Sequence, residues 1–352
     1  MARWHLKTLA FATFAALAVS ASTVETAFAA DMEVTVAQGA AQGFLYLPFL
    51  VADHEGYFAE NGVKVNTLQA NGAAIMNALL AGKADIGSNT PATITAAAKG
   101  VYMPTIVPIS RQFPADIILT TKVMEERGIS PTAPIGDRIK ALKGMNIGIS
   151  SVGSTYDILL RYILPKYGLT PDQDVTLVPL GTAAAATAAM KTGAVDGYID
   201  AAPSPQQAQA DGLGTIFISL NNGAVPELAG YVKGWAATPD ALKNKPEAVQ
   251  AFVNAIAEAL KFIQESPEKA TAIAVEANPN LSADIFTKAY NDYLPVFPKT
   301  PVYSPEGLAL NDTMQRLAQP SLGAVDMSKL VDNSFALVAA KKYGLSLTPV
   351  AD

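Results

Sequence analysis

Two stretches of this chain share one layout of helix, glycine and short strand, and this internal repeat constrains the fold more than any other feature. In the first stretch an Ala-rich helical pattern ends at Gly82, and a short strand follows Asp85. In the second the helical pattern ends at Gly193, and the strand follows Asp196. A glycine directly after a helix is typical of a C-cap. The repeat therefore predicts two copies of one supersecondary unit.

Each copy extends upstream with the same order of elements: strand, glycine-containing loop, helix, second strand, and a loop of small residues. The predicted strands cover residues 34–37, 63–68, 146–149 and 175–178. Each half is thus predicted to be a βαβαβ unit, which gives an α/β fold of two lobes, each a mainly parallel sheet flanked by helices. Such sheets bind ligands beyond the carboxyl ends of their strands, so two facing lobes would form a cleft.

From Thr238 onward the pattern is helical, with helix starts at Thr238, Ser266 and Ser304. Each start is a hydroxyl residue followed by proline and then an acidic residue. This helical C-terminal tail is expected to pack around the first lobe and support it. The expected domains are a signal peptide at 1–29, a first lobe at 30–115 plus 233–352, and a second lobe at 116–232.

The N-terminal segment has the features of a cleavable secretory signal. Arg3 and Lys7 precede an apolar run at 9–19, and small residues at Ala27 and Ala29 suit a cut after Ala29. The apolar run is too short to span a bilayer. The mature chain is expected to be a protein of the periplasm.

Composition excludes several classes of function. The formal net charge is −6, which argues against a nucleic-acid or anionic-membrane partner. The chain contains no cysteine, so disulfides, thiolate nucleophiles and Cys-bearing metal sites are excluded. His54 would be the one histidine left after signal cleavage, too few for a His-rich metal site or Ser-His-Asp chemistry. No cofactor, metal or enzymatic activity is predicted.

Several short stretches, in order and at their spacing, resemble one family. They are Tyr46-Leu47-Pro48-Phe49-Leu50-Val51-Ala52, Glu55-Gly56-Tyr57-Phe58, Ala78-Leu79-Leu80-Ala81-Gly82-Lys83-Ala84-Asp85-Ile86-Gly87, Gly153-Ser154-Thr155, Leu159-Leu160-Arg161 and Gly168-Leu169-Thr170-Pro171-Asp172. The chain resembles the nitrate/sulfonate/taurine branch of ABC-transporter solute-binding proteins. That resemblance implies a two-lobed, type II-like periplasmic-binding-protein fold that closes on its ligand. It also implies delivery to permease and ATPase subunits, and we expect a monomer. Pyrimidine synthases of thiamine biosynthesis resemble the same fold but depend on a Cys-rich motif that this sequence lacks.

A loop in the second lobe is the strongest candidate for ligand contact. Residues Ser151, Gly153, Ser154 and Thr155 lie between a strand and a helix, where hydroxyls, backbone N–H groups and the helix dipole suit an oxyanion. The alternative is that Ser154 caps the helix and no ligand is involved.

The first lobe offers equivalent positions after its own strands. Gln42, Gly43 and Phe44 are candidates for one loop, although Phe44 could instead be a core residue. Asn71 and Gly72, and then Asn89 and Thr90, precede helices in the same way, or act only as helix caps.

Two charged residues complete the candidate set. Arg111 follows an apolar strand and could pair bidentately with an oxyanion, unless it is an ordinary surface residue. Asp200 ends a strand and would attract an ammonium group, which would favour a zwitterion.

The sequence therefore predicts a binding protein for a small organic oxyanion: a sulfonate, a taurine-like zwitterion or a carboxylate. A neutral pyrimidine-type vitamin precursor remains an alternative ligand. A periplasmic enzyme or a sensor module on the same fold remains an alternative function.

Overall fold

The computed structural model describes residues 32–39, 44–70, 72–88, 90–228, 230–279 and 282–349, so the expected signal peptide at 1–29 lies outside it. Within these residues the strands form two five-stranded sheets. They are β1 Met32–Gln38, β2 Val63–Gln69, β3 Ile86–Gly87, β4 Thr105–Ser110, β5 Asp116–Thr120, β6 Met145–Ile149, β7 Val175–Pro179, β8 Gly197–Asp200, β9 Gly214–Ser219 and β10 Lys233–Ala237. The repeat strands predicted from the sequence agree with β1, β2, β6 and β7 to within two residues at each end.

Helices surround both sheets. They are α1 Leu47–His54, α2 Tyr57–Glu60, α3 Ala73–Leu80, α4 Thr90–Ala97, α5 Thr121–Arg127, α6 Ile135–Lys140, α7 Thr155–Ile163, α8 Ala183–Thr192, α9 Ser204–Ala210, α10 Pro239–Asn244, α11 Pro246–Glu265, α12 Pro267–Glu276, α13 Ala283–Tyr293, α14 Glu306–Ala318 and α15 Ser334–Tyr343. The helical C-terminal tail is confirmed. No helix of the described part of the chain has both the length and the apolar character needed to cross a membrane.

The two sheets have the same topology. Their strand orders are β2-β1-β3-β10-β4 and β7-β6-β8-β5-β9. In each, the three strands of the repeat unit run parallel, and the fourth strand is antiparallel to both its neighbours. The two-lobed α/β class is therefore confirmed, with mixed rather than wholly parallel sheets.

The reversed strands β5 and β10 are the two that the chain enters after passing from one sheet to the other. The chain leaves β4 at Ser110 and enters β5 at Asp116, and it leaves β9 at Ser219 and returns to the first sheet at Lys233. A chain arriving from the facing sheet enters at the edge where the parallel strands end, so its first strand must run in the opposite direction. The predicted domain bounds are not tested by this topology and stay a prediction.

The repeated aspartates have the same structural role in both halves. The backbone N–H of Thr35 donates to Asp85 Oδ2 at 2.8 Å, and that of Asn146 donates to Asp196 Oδ2 at 2.7 Å. Each carboxylate thus joins the turn before the third strand to the first strand of its unit. This explains why both copies carry an aspartate at the end of the sheet remote from the strand carboxyl ends.

The C-terminal helices cover more than the first sheet. Helix α11 packs in the first core with Phe252 fully buried, as expected for a supporting tail. Helix α14, however, contacts both α4 and α7, and its Met314 belongs to the core of the second sheet. The tail therefore supports the first lobe as expected, and α14 in addition packs against the second.

Candidate functional site

A cleft of about 880 Å³ lies where the strand carboxyl ends of the two sheets face each other. Its walls come from both halves, with Gly39 and Lys233 on the first-sheet side and Ile149 and Asp200 on the second-sheet side. The position agrees with the expectation that ligands bind beyond the carboxyl ends of parallel strands.

The candidate anion loop lies in the cleft wall, where Ser151, Gly153, Ser154 and Thr155 all line the cavity. Ser154 Oγ also accepts a hydrogen bond from the backbone N–H of Asp157 at 3.3 Å, so it caps α7. Capping and cleft lining therefore occur together at this position. The two interpretations from the sequence are not exclusive.

Part of this loop is already satisfied by the protein. The backbone N–H of Gly153 donates to Asp157 Oδ2 at 2.7 Å, and Arg161 Nε donates to Asp157 Oδ1 at 2.8 Å. The groups left to a ligand are the hydroxyls of Ser151 and Thr155 and the first backbone N–H groups of α7, which have no acceptor within a helix. Fewer groups of this loop are free to bind a ligand than the sequence predicted. Gly153 gives the loop its backbone conformation, but its N–H group is already paired with Asp157.

Three further helices begin at the cleft. Gly72, with φ +53°, precedes α3, Pro91 lies in the first turn of α4, and Thr182 caps α8 by accepting from Ala185 N at 3.2 Å. Together with α7, the starts of four helices lie at the wall of one cavity, so the positive ends of their dipoles are close to it, although α3 and α4 also line it along their sides. The arrangement favours negative charge in the cleft.

Asp200 lines the same cavity and is half-buried. Its Oδ1 accepts from the backbone N–H of Ala201 at 2.8 Å and from the hydroxyl of Tyr156 at 3.4 Å. Burial nevertheless raises the pKa of the Asp200 carboxyl to about 6, because loss of water outweighs these two donors. No Lys or Arg among the described residues forms an ion pair with it.

Lys233 was missed from the sequence and is the most informative addition to the site. It begins β10, lines the cleft, and its Nζ lies 5.7 Å from the ring centroid of Tyr46. Within the described part of the chain it forms no ion pair with a carboxylate. The position could have been found only by recognising that the return strand enters its sheet at the cleft edge.

Aromatic side chains form the base of the cleft. Tyr46, Phe113, Tyr156 and Tyr231 all line it, and the rings of Phe113 and Tyr231 are 4.5 Å apart between centroids. Trp235 is fully buried instead, and its Nε1 donates to Gln38 Oε1 at 3.0 Å. Trp235 is therefore a packing residue of the first core.

Two predicted site residues do not reach the cleft. Phe44 is only 2% exposed, because it stacks on Phe286 with ring centroids 4.6 Å apart, so it is a core residue. Arg111 donates from Nε to the carbonyl oxygen of Pro295 at 2.9 Å, which directs it toward the C-terminal helices. Neither residue is among those that line the cleft, and the assignment of Arg111 to the ligand stays a prediction.

The structure does not describe the side chains of the remaining predicted site residues. Gln42, Gly43, Asn71 and Asn89 lie outside the described residues, as does the side chain of Thr90, whose backbone begins α4. Their assignment to the ligand stays a prediction. No group of His, Cys, Asp and Glu in the described residues is arranged to hold a metal ion.

Comparison with known proteins gives both a family and a fold. The model of the NMT1-like family matches residues 32–277, more than half of the chain. The nitrate/nitrite binding protein NrtA of Nostoc sp. is 30% identical over 131 residues, which are 36% of this chain and 28% of that protein. The chain spans between 26% and 28% of the length of the curated relatives that it matches.

Solved structures match over nearly the whole chain. A protein from Bordetella bronchiseptica RB50 has a TM-score of 0.74 at 23% identity, covering 89% of this chain and 98% of that one. The periplasmic aliphatic sulphonate binding protein SsuA from Escherichia coli has a TM-score of 0.64 at 18% identity, covering 85% and 97%. The resemblance predicted from the quoted sequence stretches is thus confirmed.

Proposed function

Since the chain belongs to the NMT1-like family, we propose that it captures a small organic oxyanion in the periplasm and delivers it to the permease and ATPase of an ABC importer. The proposal is for reversible binding without chemical change of the ligand. It takes its transport context from relatives named as a nitrate/nitrite binding protein and a bicarbonate transport protein.

One observation carries the choice of an anion. The cleft collects the starts of α3, α4, α7 and α8 together with Lys233, a cation without an ion-pair partner among the described residues. Helix N-termini and an amine both stabilise negative charge, and their effect is strongest in a cavity shielded from water. A sulfonate or carboxylate meets that demand.

Asp200 refines the class of ligand within this proposal. A half-buried carboxylate with an unpaired charge is costly unless a ligand supplies a cation or hydrogen-bond donors. An amino-sulfonate such as taurine would place its anionic group at the helix starts and its ammonium group at Asp200.

Binding from two walls gives a physical reason for hinged closure. Ligand partners come from both sheets, and the chain passes between the sheets at residues 111–115 and 220–232. A ligand shifts a hinge equilibrium only through contacts that the closed state completes. Closure then marks the loaded protein for its membrane partner.

The aromatic base of the cleft supports a second candidate ligand. Tyr156 is the least buried of its rings, and a neutral pyrimidine could stack on it. This candidate does not use Lys233 or the helix starts, so the oxyanion remains the stronger proposal.

A thermal-shift screen separates the two. The panel contains taurine, ethanesulfonate, nitrate, benzoate and an aminopyrimidine, each over a range of concentrations. A ligand that binds only the folded state raises the melting temperature with the logarithm of its concentration above Kd. We expect shifts with the sulfonates. A shift with the aminopyrimidine alone would replace the oxyanion proposal.

A further inference from the structure

Helix α14 contacts both halves of the molecule at one side of the cleft. Its Leu308 packs with Ile94 of α4, whereas its Met314 packs in the core of the second sheet. Gln315 and Gln319, one turn apart on the same helix, line the cavity. A C-terminal helix therefore supplies part of the cleft wall, outside the repeat units that form the rest.

Gln315 has an unsatisfied polar group at this wall. Only 5% of the residue is exposed, and its Oε1 is buried without a hydrogen-bond partner among the described residues. Asn311, one turn earlier, also has a buried amide oxygen without a partner among the described residues, but its Nδ2 donates to the carbonyl oxygen of Val232 at 2.8 Å and the residue does not line the cleft. Gln315 thus borders the cleft and carries a buried acceptor that no described residue uses.

A buried acceptor without a partner costs free energy, and most such groups in proteins do have partners. We propose that Gln315 determines specificity in this cleft, with Oε1 accepting a hydrogen bond from a hydroxyl or N–H group on the organic part of the bound oxyanion. The assignment rests on the proposed function.

The amide of Gln315 and the carboxylate of Asp200 favour different groups on the ligand. A carboxylate favours positive charge, whereas an amide oxygen is neutral and accepts equally from a hydroxyl group. The proposal therefore predicts that the protein prefers hydroxylated over plain alkyl oxyanions even when neither carries an ammonium group. Sites built to hydrogen-bond a ligand hydroxyl discriminate against analogues that lack it, since the buried partner is then left unpaired.

Matched ligand pairs test this directly. Calorimetry would compare 2-hydroxyethanesulfonate with ethanesulfonate, and lactate with propanoate. Wild-type protein should bind the hydroxylated member of at least one pair about tenfold more tightly. Gln315→Met, which is similar in size, should abolish that ratio by weakening the hydroxylated member alone. Gln264→Met, the same substitution at an exposed position of α11 that does not line the cleft, is the control and should keep the ratio.

Each other outcome contradicts the assignment. A wild type without preference for the hydroxyl, or a Gln315→Met variant that keeps the preference, overturns it. Equal weakening of both members would mean that the amide supports closure and does not contact ligand. Failure of the wild type to bind any of the four anions would instead overturn the oxyanion proposal itself. A wild type without the preference overturns the assignment even if the variant does not fold.

Discussion

Asp116 and Asp200 lie directly opposite each other where β5 pairs with β8. Burial raises the pKa of each carboxyl to about 6. Their surroundings differ, because Asp116 accepts from Ser219 Oγ at 2.6 Å and from Gln206 Nε2 at 2.7 Å, well away from solvent. Asp200 faces the cleft. One carboxylate is held by side chains near the chain crossing, and the other borders the cleft.

The charge of Asp200 should make the free protein less stable as pH rises. Its native pKa of about 6 lies above the ordinary value of 3.8, so the native state holds the proton more tightly than the unfolded state. The destabilisation is absent below about pH 4 and complete above about pH 6. Asp200→Asn should raise the free energy of unfolding at pH 7.5 by at most about 3 kcal/mol.

Urea unfolding at pH 7.5 and pH 4 measures this effect. The gain from Asp200→Asn should largely disappear at the lower pH, where the carboxyl is protonated in the native state and partly protonated in the unfolded state. An equal gain at both values would show that the variant acts through packing rather than through charge.

Lys233 should be needed for anion binding and not for folding. Lys233→Met removes the charge from the cleft while keeping most of the side-chain length. We expect affinity for a bound sulfonate to fall by about tenfold or more, since charge-assisted contacts in shielded sites are strong. Lys122→Met, in an exposed surface pair with Glu126, is the control of equal charge change. Similar losses in the two variants, measured by calorimetry, would mean that only net charge matters.

Two substitutions of Gly153 test the anion loop, because both have a similar conformational cost in the backbone and only one of them adds a charge. The residue has φ +75°, and open space surrounds the position that a Cβ would occupy. Asp and Asn both tolerate this left-handed conformation better than most residues. Gly153→Asp should reduce affinity for an oxyanion by about tenfold or more, whereas Gly153→Asn should have a much smaller effect. Equal affinity in the two variants, at unchanged melting temperature, would remove the loop from the site.

Tyr293 should stabilise the contact between the C-terminal helices and the second sheet. Its hydroxyl accepts from the backbone N–H of Ala202 at 2.8 Å and lies 3.4 Å from Asp116 Oδ2. Tyr293→Phe leaves the buried N–H of Ala202 unpaired and should cost about 1 to 3 kcal/mol in denaturant unfolding. Tyr290→Phe is the control, because that buried hydroxyl makes no hydrogen bond of normal geometry with any of the described residues. Equal losses would mean that neither hydroxyl contributes through hydrogen bonding.

The repeat made the fold predictable because it encodes local structure. Glycine C-caps at Gly82 and Gly193 and hydroxyl caps such as Ser154 are signals within a few residues of the elements they bound. The same logic located the cleft and four of its lining residues, together with Gly72 and Asp200. These capping residues indicate where each strand ends and which polar residues follow it. In the predicted topology the carboxyl ends of the parallel strands lie at the same edge of the sheet.

Local sequence signals could not predict that Lys233 and Gln315 line the cleft. Each reaches the cleft through long-range packing, one by the return of the chain to the first sheet and the other by the placement of α14 against both halves. Phe44 shows the opposite error. Its position after a strand suggested the cleft, but packing on Phe286 places it in the core. Local pattern predicts where an element begins, whereas tertiary contacts decide which side of it faces the ligand.

Titration calorimetry with taurine at pH 7.5, followed by recovery of the ligand, tests the central claim most directly. We predict binding of one taurine per chain, loss of that binding in Lys233→Met, and chemically unchanged taurine after dissociation. Taurine that binds equally well to Lys233→Met, or that is recovered as a different compound, would contradict the account of this protein as an oxyanion carrier.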